Sequence, residues 1–139
     1  MCRCACEGRF FARSGPLSQV SPVPTYSASV TGIVFSGSIS LVFDNGEICK
    51  GAWALVSSAP AKNGDPPAAN MSADWNLVYG QGYYVAHVLG NKLYARATLT
   101  GNLGTTLSVE FSNENNTRGN TKGVAQDNRG NVFKVTVYN

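Results

Sequence analysis

Cys49 and His87 are the two side chains whose types could do covalent chemistry together. A nucleophilic thiol needs a base beside it and some exposure, so this pair would serve a small hydrolase or transferase. With one histidine in the chain, it is one possible dyad. Cys49 lies in "FDNGEICKGAW", residues 43–53, where a turn tripeptide separates two apolar runs. A two-residue Asn45-Gly46 turn would pair Phe43 with Ile48 and point Cys49 and Trp53 away from Ile39, Leu41 and Phe43. A three-residue Asp44-Asn45-Gly46 loop, with Gly46 left-handed in a bulge, pairs Leu41 with Cys49. That register gathers Ile39, Leu41, Phe43, Cys49, Gly51 and Trp53 on one face and separates apolar from polar better. It is the register expected, and it makes Cys49 a buried, unreactive thiol. Gly51 would then leave room for the Trp53 indole.

The remaining chemistry-bearing residues are dispersed. His87, in "YYVAHVL", shares a strand face with Tyr83, Val85 and Leu89, and no carboxylate is spaced to orient it as a base. It also has no His, Cys or carboxylate at ligand spacing, so no metal site is expected. Cys2, Cys4 and Cys6 crowd the start. Neighbours two apart do not readily join, which argues against a disulfide framework there. Asp44, Glu47, Asp65, Asp74, Glu110, Glu114 and Asp127 are scattered, and nothing marks two of them as an acid–base pair. Asp44 and Asp127 suit turns, where their side chains bond nearby backbone. No phosphate loop, dinucleotide fingerprint, nucleophile elbow or zinc-protease helix is present, so no cofactor is expected. Asn70-Met71-Ser72 and Asn115-Asn116-Thr117 match the short glycosylation pattern.

Trp75, Tyr79, Tyr83 and Tyr84 form the main aromatic group, and Tyr94 and Arg96 face outward on a later strand. Rings with polar tips suit a sugar, a peptide or a small apolar ligand. The plainer reading is that Trp75 and Tyr79 fasten a helix to a sheet, and that Tyr94, Arg96 and Thr98 form a solvated strand face.

The elements that would position these residues are mostly strands. Residues 1–27, with Pro16, Pro22 and Pro24, read as a tail and linker, and residues 28–139 as one β-domain. "SISLVF" and "EICKGAWALVSS" form the hairpin above, and "APAKNGDPPAANM" reads as a loop. A short helix is expected at about 72–79: Ser72 caps it, Asp74 suits its positive end and Gly80 ends it. "YYVAHVL" and "KLYARATLT" then read as a hairpin, with Leu93, Ala95, Ala97 and Leu99 on one face. Leu107, Val109 and Phe111, then Phe133, Val135 and Val137, continue the alternation. The fold class is therefore mainly β: an antiparallel sandwich or partly closed barrel of seven or eight short strands with one short helix.

The 139 residues fit a single core, and charged residues are only 14%. The net charge of +3 lies largely in Arg3, Arg9 and Arg13 near the start. No basic stripe is left for a phosphate backbone, so nucleic acid is not an expected partner. No apolar run is long enough to span a bilayer as a helix, and "MCRCACEGRFFARSG" lacks the apolar core of a secretory signal.

The phrases "LVFDNGEICKGAW", "WNLVYGQGYYVAHVLGNKLYARATLTGNLGTTLSVEF" and "KGVAQDNRGNVFKV" resemble a group of small uncharacterised bacterial β-domain proteins. The resemblance covers about Val30 to Tyr138. Those proteins often carry a secretion or lipoprotein signal, and some travel on mobile gene cassettes. The resemblance implies the periplasm or outer envelope and assigns no functional residues. Together these readings point to a non-enzymatic binding or interaction module of the cell envelope. Its expected partner is a small molecule, a glycan or a protein, and a homodimer through a β-edge is a further expectation.

Overall fold

A computed structural model describes residues 6–33, 36–56, 66–89, 94–112 and 121–138. Cys2, Cys4, Asp65, Lys92, Leu93, Glu114 and the Asn115 glycosylation pattern lie outside the described residues.

Eight strands close into one antiparallel barrel in chain order. They are β1 (Cys6–Ser14), β2 (Thr25–Ile33), β3 (Ser36–Val42), β4 (Ile48–Val56), β5 (Tyr94–Gly101), β6 (Thr106–Ser112), β7 (Thr121–Asp127) and β8 (Val132–Tyr138). Helix α1 (Pro66–Tyr79) and a π-helical turn (Tyr84–Val88) lie between β4 and β5. Alternation along each strand drives the closure. Phe10, Val30, Leu41, Leu99, Leu107, Phe111, Phe133 and Val135 all point into the barrel and are essentially inaccessible to water. An eight-stranded barrel is just wide enough for its own side chains to fill. The interior is thus a packed core. Outward positions such as Glu7, Arg9, Ser38, Ser40 and Lys50 are polar, the reverse of a lipid-facing barrel. No helix among the described residues is long and apolar enough to cross a membrane.

The opening hairpin takes the three-residue turn. Leu41 pairs with Cys49 and Ser40 with Lys50. Phe43 N–H donates to Glu47 O at 2.9 Å, and Gly46 is left-handed at φ 85°. Cys49 and Trp53 are buried inside as that register requires. The room for the indole comes from elsewhere than Gly51. Gly32 and Gly37 face each other across β2 and β3, and a Cβ on Gly37 would lie 2.6 Å from Trp53 Nε1. The indole lies against this glycine pair and donates to Thr31 O at 2.9 Å. Gly51 instead admits the β5 backbone, since a Cβ there would meet Thr98 O at 2.0 Å.

Five expectations change. Residues 1–27 are not wholly a tail: β1 pairs with β2 on one side and β8 on the other and closes the barrel. Its Gly8, Phe10 and Ala12 face inward between Glu7, Arg9 and Arg13, the same period-two pattern as the later strands. Cys6, at its start, is disulfide-bonded, against the expectation that the early cysteines form no disulfide. Because β1 and β8 pair, the sheet has no open edge, so the expected edge-to-edge dimer loses its template. The helix starts earlier, at Pro66, where two prolines suit the first turn and alanines continue it. Ser72 and Asp74 therefore lie inside the helix, far from the positive end. Finally, "YYVAHVL" is not a strand. Left-handed Gly80 and Gly82 reverse the chain after α1. Asn76 Oδ1 then accepts Tyr84 N–H at 2.9 Å, and Leu89 N–H donates to Tyr84 O at 2.9 Å. Burial of Tyr84 and Val88 one helical turn apart decides the local conformation over β-propensity.

Candidate functional site

Outward residues of a barrel normally meet water. At Tyr94 on β5, Glu110 on β6 and Val124 on β7 they do not, because α1 and the π-helical turn cover them. Met71, Trp75, Tyr84 and Val88 pack on Tyr94 and Val124, forming a second core outside the barrel. Tyr79 fastens the end of the helix: its hydroxyl lies 2.9 Å from Gly123 O and 3.2 Å from Val135 O. The rings of Trp75, Tyr79 and Tyr83 stack, with Tyr79 and Tyr83 centroids 4.8 Å apart. His87 continues the column 4.7 Å from Tyr83. Lys122 and Lys134 carry their ammonium groups 5.9 and 5.6 Å from the Tyr79 ring, within the range where a cation is attracted to a ring face.

Beneath the helix lies a charged cluster that the sequence did not announce. Glu110 and Arg96 are cross-strand partners on β6 and β5. Glu110 is 1% exposed. It accepts Trp75 Nε1–H at 2.9 Å, and its other oxygen lies 3.7 Å from Arg96 Nε. Asp74 approaches from α1 and is itself buried, and its Oδ2 has no hydrogen-bond partner among the described residues. Burial, then repulsion from Glu110, pushes the Asp74 carboxyl up to about 6. Burial and the neighbouring Glu110 also push the Tyr94 hydroxyl well above its usual range.

The Asp74 shift has a definite stability signature. A carboxyl whose pKa is raised on folding adds stability below its unfolded value near 3.8, and that stability is lost as pH rises through about 6. Asp74→Asn removes the ionisation while keeping the shape. It should be about as stable as the wild type at low pH and about 1–3 kcal/mol more stable above neutrality. Thermal melts on both sides of the transition check this; an equal effect at both pH values would contradict it.

Beside this cluster a groove of about 420 Å³ runs over the outer wall of β4, β5 and β6. Ala52, Met71, Arg96, Thr98, Ser108 and Glu110 line it. Its size is that of a small-molecule site. The side chains present are one guanidinium, one carboxylate, two hydroxyls and a small apolar surface, which together can hold a ligand by hydrogen bonds in both directions.

The structure gathers Trp75, Tyr79, Tyr83, Tyr84, Tyr94 and Arg96 on one wall, yet only Arg96 of these lines the groove. Trp75, Tyr84 and Tyr94 are buried as packing residues. Cys49 and His87 are not brought together. Cys49 is wholly inside the barrel, where burial raises its thiol to about 11, while His87 is exposed on the outer π-helical turn. Reasoning from sequence missed Met71, Asp74, Ser108 and Glu110. The outward phase of Ser108 and Glu110 was readable; that a helix would cover Glu110 was not.

Fold and site define a filled, closed eight-stranded antiparallel barrel with a ligand-sized groove on its outside. The chain matches no protein family, no curated protein and no solved structure.

Proposed function

We propose that this protein is a non-enzymatic binding module whose groove holds a small neutral polyhydroxylated ligand, such as a sugar. One observation carries the reading: an oppositely charged pair, Arg96 and Glu110, sits in the groove wall with the Thr98 and Ser108 hydroxyls beside it. Such a set offers donors and acceptors with charges that nearly cancel, which suits hydroxyl groups better than an ion. Met71 and Ala52 supply the apolar surface for the carbon face of a sugar ring. Binding is favoured over turnover because Glu110 is engaged by Trp75 and Arg96 and serves to fix them. Placement in a bacterial cell envelope rests on the sequence resemblance described above.

Calorimetric titration of the full chain with methyl hexopyranosides tests the proposal. Saturable binding is expected for at least one of them, with affinity lost in Arg96→Gln and reduced in Ser108→Ala. Equal affinity in wild type and Arg96→Gln, or no heat with any hexopyranoside, overturns it.

A further inference from the structure

Three hairpin turns at one end of the barrel are built alike. In each, the first residue donates its N–H to the carbonyl of the fifth: Phe43 to Glu47 at 2.9 Å, Gly101 to Thr105 at 2.7 Å, and Asp127 to Asn131 at 3.0 Å. In each, the fourth residue is a left-handed glycine: Gly46, Gly104 or Gly130. The second residue differs. Asn102 and Asn128 accept an N–H from the preceding strand of the barrel, Ile48 at 2.9 Å and Thr106 at 3.1 Å. Asp44, at the equivalent place, accepts the Tyr26 hydroxyl at 3.2 Å instead. A charged group therefore stands where an amide serves the neighbouring turns.

That carboxylate borders a cavity of about 260 Å³ at the barrel mouth. Leu17, Tyr26 and Phe43 give it an apolar lining, with the two rings edge to face and 4.8 Å between centroids. Asp44, Asp127 and Arg129 provide its charged groups. Glu47 is buried close by, 3.8 Å from Arg129 Nη1. Its carboxyl is held below the usual range by the Thr105 hydroxyl and by the N–H groups of Thr105 and Leu103. Asp127 is committed to its own turn, accepting N–H bonds from Arg129, Asn131 and the Asn131 amide. The carboxylates outnumber the guanidinium, and Asp44 is the exposed one.

We infer that this mouth binds a small organic ammonium ion, its hydrocarbon part against Leu17, Tyr26 and Phe43 and its charge beside Asp44. The negative rim is complementary to a cation, aromatic rings add attraction for ammonium groups, and a barrel mouth is a common ligand position. The site is separate from the Arg96–Glu110 groove and does not depend on it.

Amide NMR of the full chain, titrated with 2-phenylethylammonium chloride, 2-phenylethanol and sodium phenylacetate, tests the inference. The ammonium compound should shift the amides of Leu17, Asp44, Asn45 and Arg129 saturably. It should bind about five-fold or more tightly than the alcohol, the expected scale for one added ion pair near a protein surface. Asp44→Asn should remove that preference. The variant keeps the turn, since asparagine already occupies the equivalent positions 102 and 128. Arg129→Gln should act in the opposite sense and tighten ammonium binding. Equal affinity for ammonium and alcohol, a preference for phenylacetate, unchanged selectivity in Asp44→Asn, or no saturable shift with any of the three would overturn it.

Discussion

Trp75→Ala should destabilise the protein by about 3–5 kcal/mol, the usual cost of emptying a fully buried large aromatic site. Trp75 is 0% exposed and is the largest side chain between α1 and the barrel. Its loss removes three supports together: the contact with Met71, Tyr84, Tyr94 and Val124, the stack with Tyr79 and Tyr83, and the indole donor to Glu110. The last leaves a buried carboxylate with one fewer hydrogen bond, which adds to the cavity cost. Trp75→Phe separates the parts. It keeps most of the ring packing and forfeits the hydrogen bond, so about 1–3 kcal/mol is expected. Urea unfolding measures both. A loss under about 1 kcal/mol for the alanine variant would mean that the helix is not held by this residue.

Gly37→Val should be comparably damaging for the opposite reason. A Cβ on Gly37 would lie 1.8 Å from Thr31 O and 2.6 Å from Trp53 Nε1. The first contact is with backbone, which cannot swing aside, and the second is with a fully buried indole. Overpacking typically costs about 1–3 kcal/mol, and a clash with two fixed groups belongs at or above the top of that range. Gly46→Ala is the useful contrast. Nothing lies within 4 Å of its added Cβ, but its φ of 85° is left-handed. Only the conformational penalty applies, about 1–2 kcal/mol. Comparable costs for the two variants would show that the crowding at Trp53 is relieved more easily than the geometry implies.

What was legible in the sequence was what one strand or one hairpin determines. Ala95, Ala97 and Leu99, and Leu107, Val109 and Phe111, fall inside as their alternation requires. The Leu41–Cys49 register could be read because a slip by one residue would have turned Cys49 and Trp53 to the solvent face. Strand β1 carries the same alternation, but its arginines resemble a solvated tail until a partner is known. That partner is β8, at the far end of the chain. "YYVAHVL" was ambiguous because a short apolar run fits a strand or a helical turn equally well. The contact between Asn76 and Tyr84 and the stacking of Tyr83 resolve it. The charged cluster was least legible. Asp74 on a helix and Glu110 on a strand meet only because α1 docks on the barrel wall, a long-range event that no local pattern records.

The proposed ligand is held outside the barrel, in the groove of Arg96 and Glu110, while the interior stays a closed core. Amide NMR of the full chain during titration with a methyl hexopyranoside tests it most directly. Saturable shifts are predicted at Ala52, Arg96, Thr98, Ser108 and Glu110, with Phe10, Val30 and Phe133 unmoved. Shifts centred on those interior residues, or none that saturate, would contradict it.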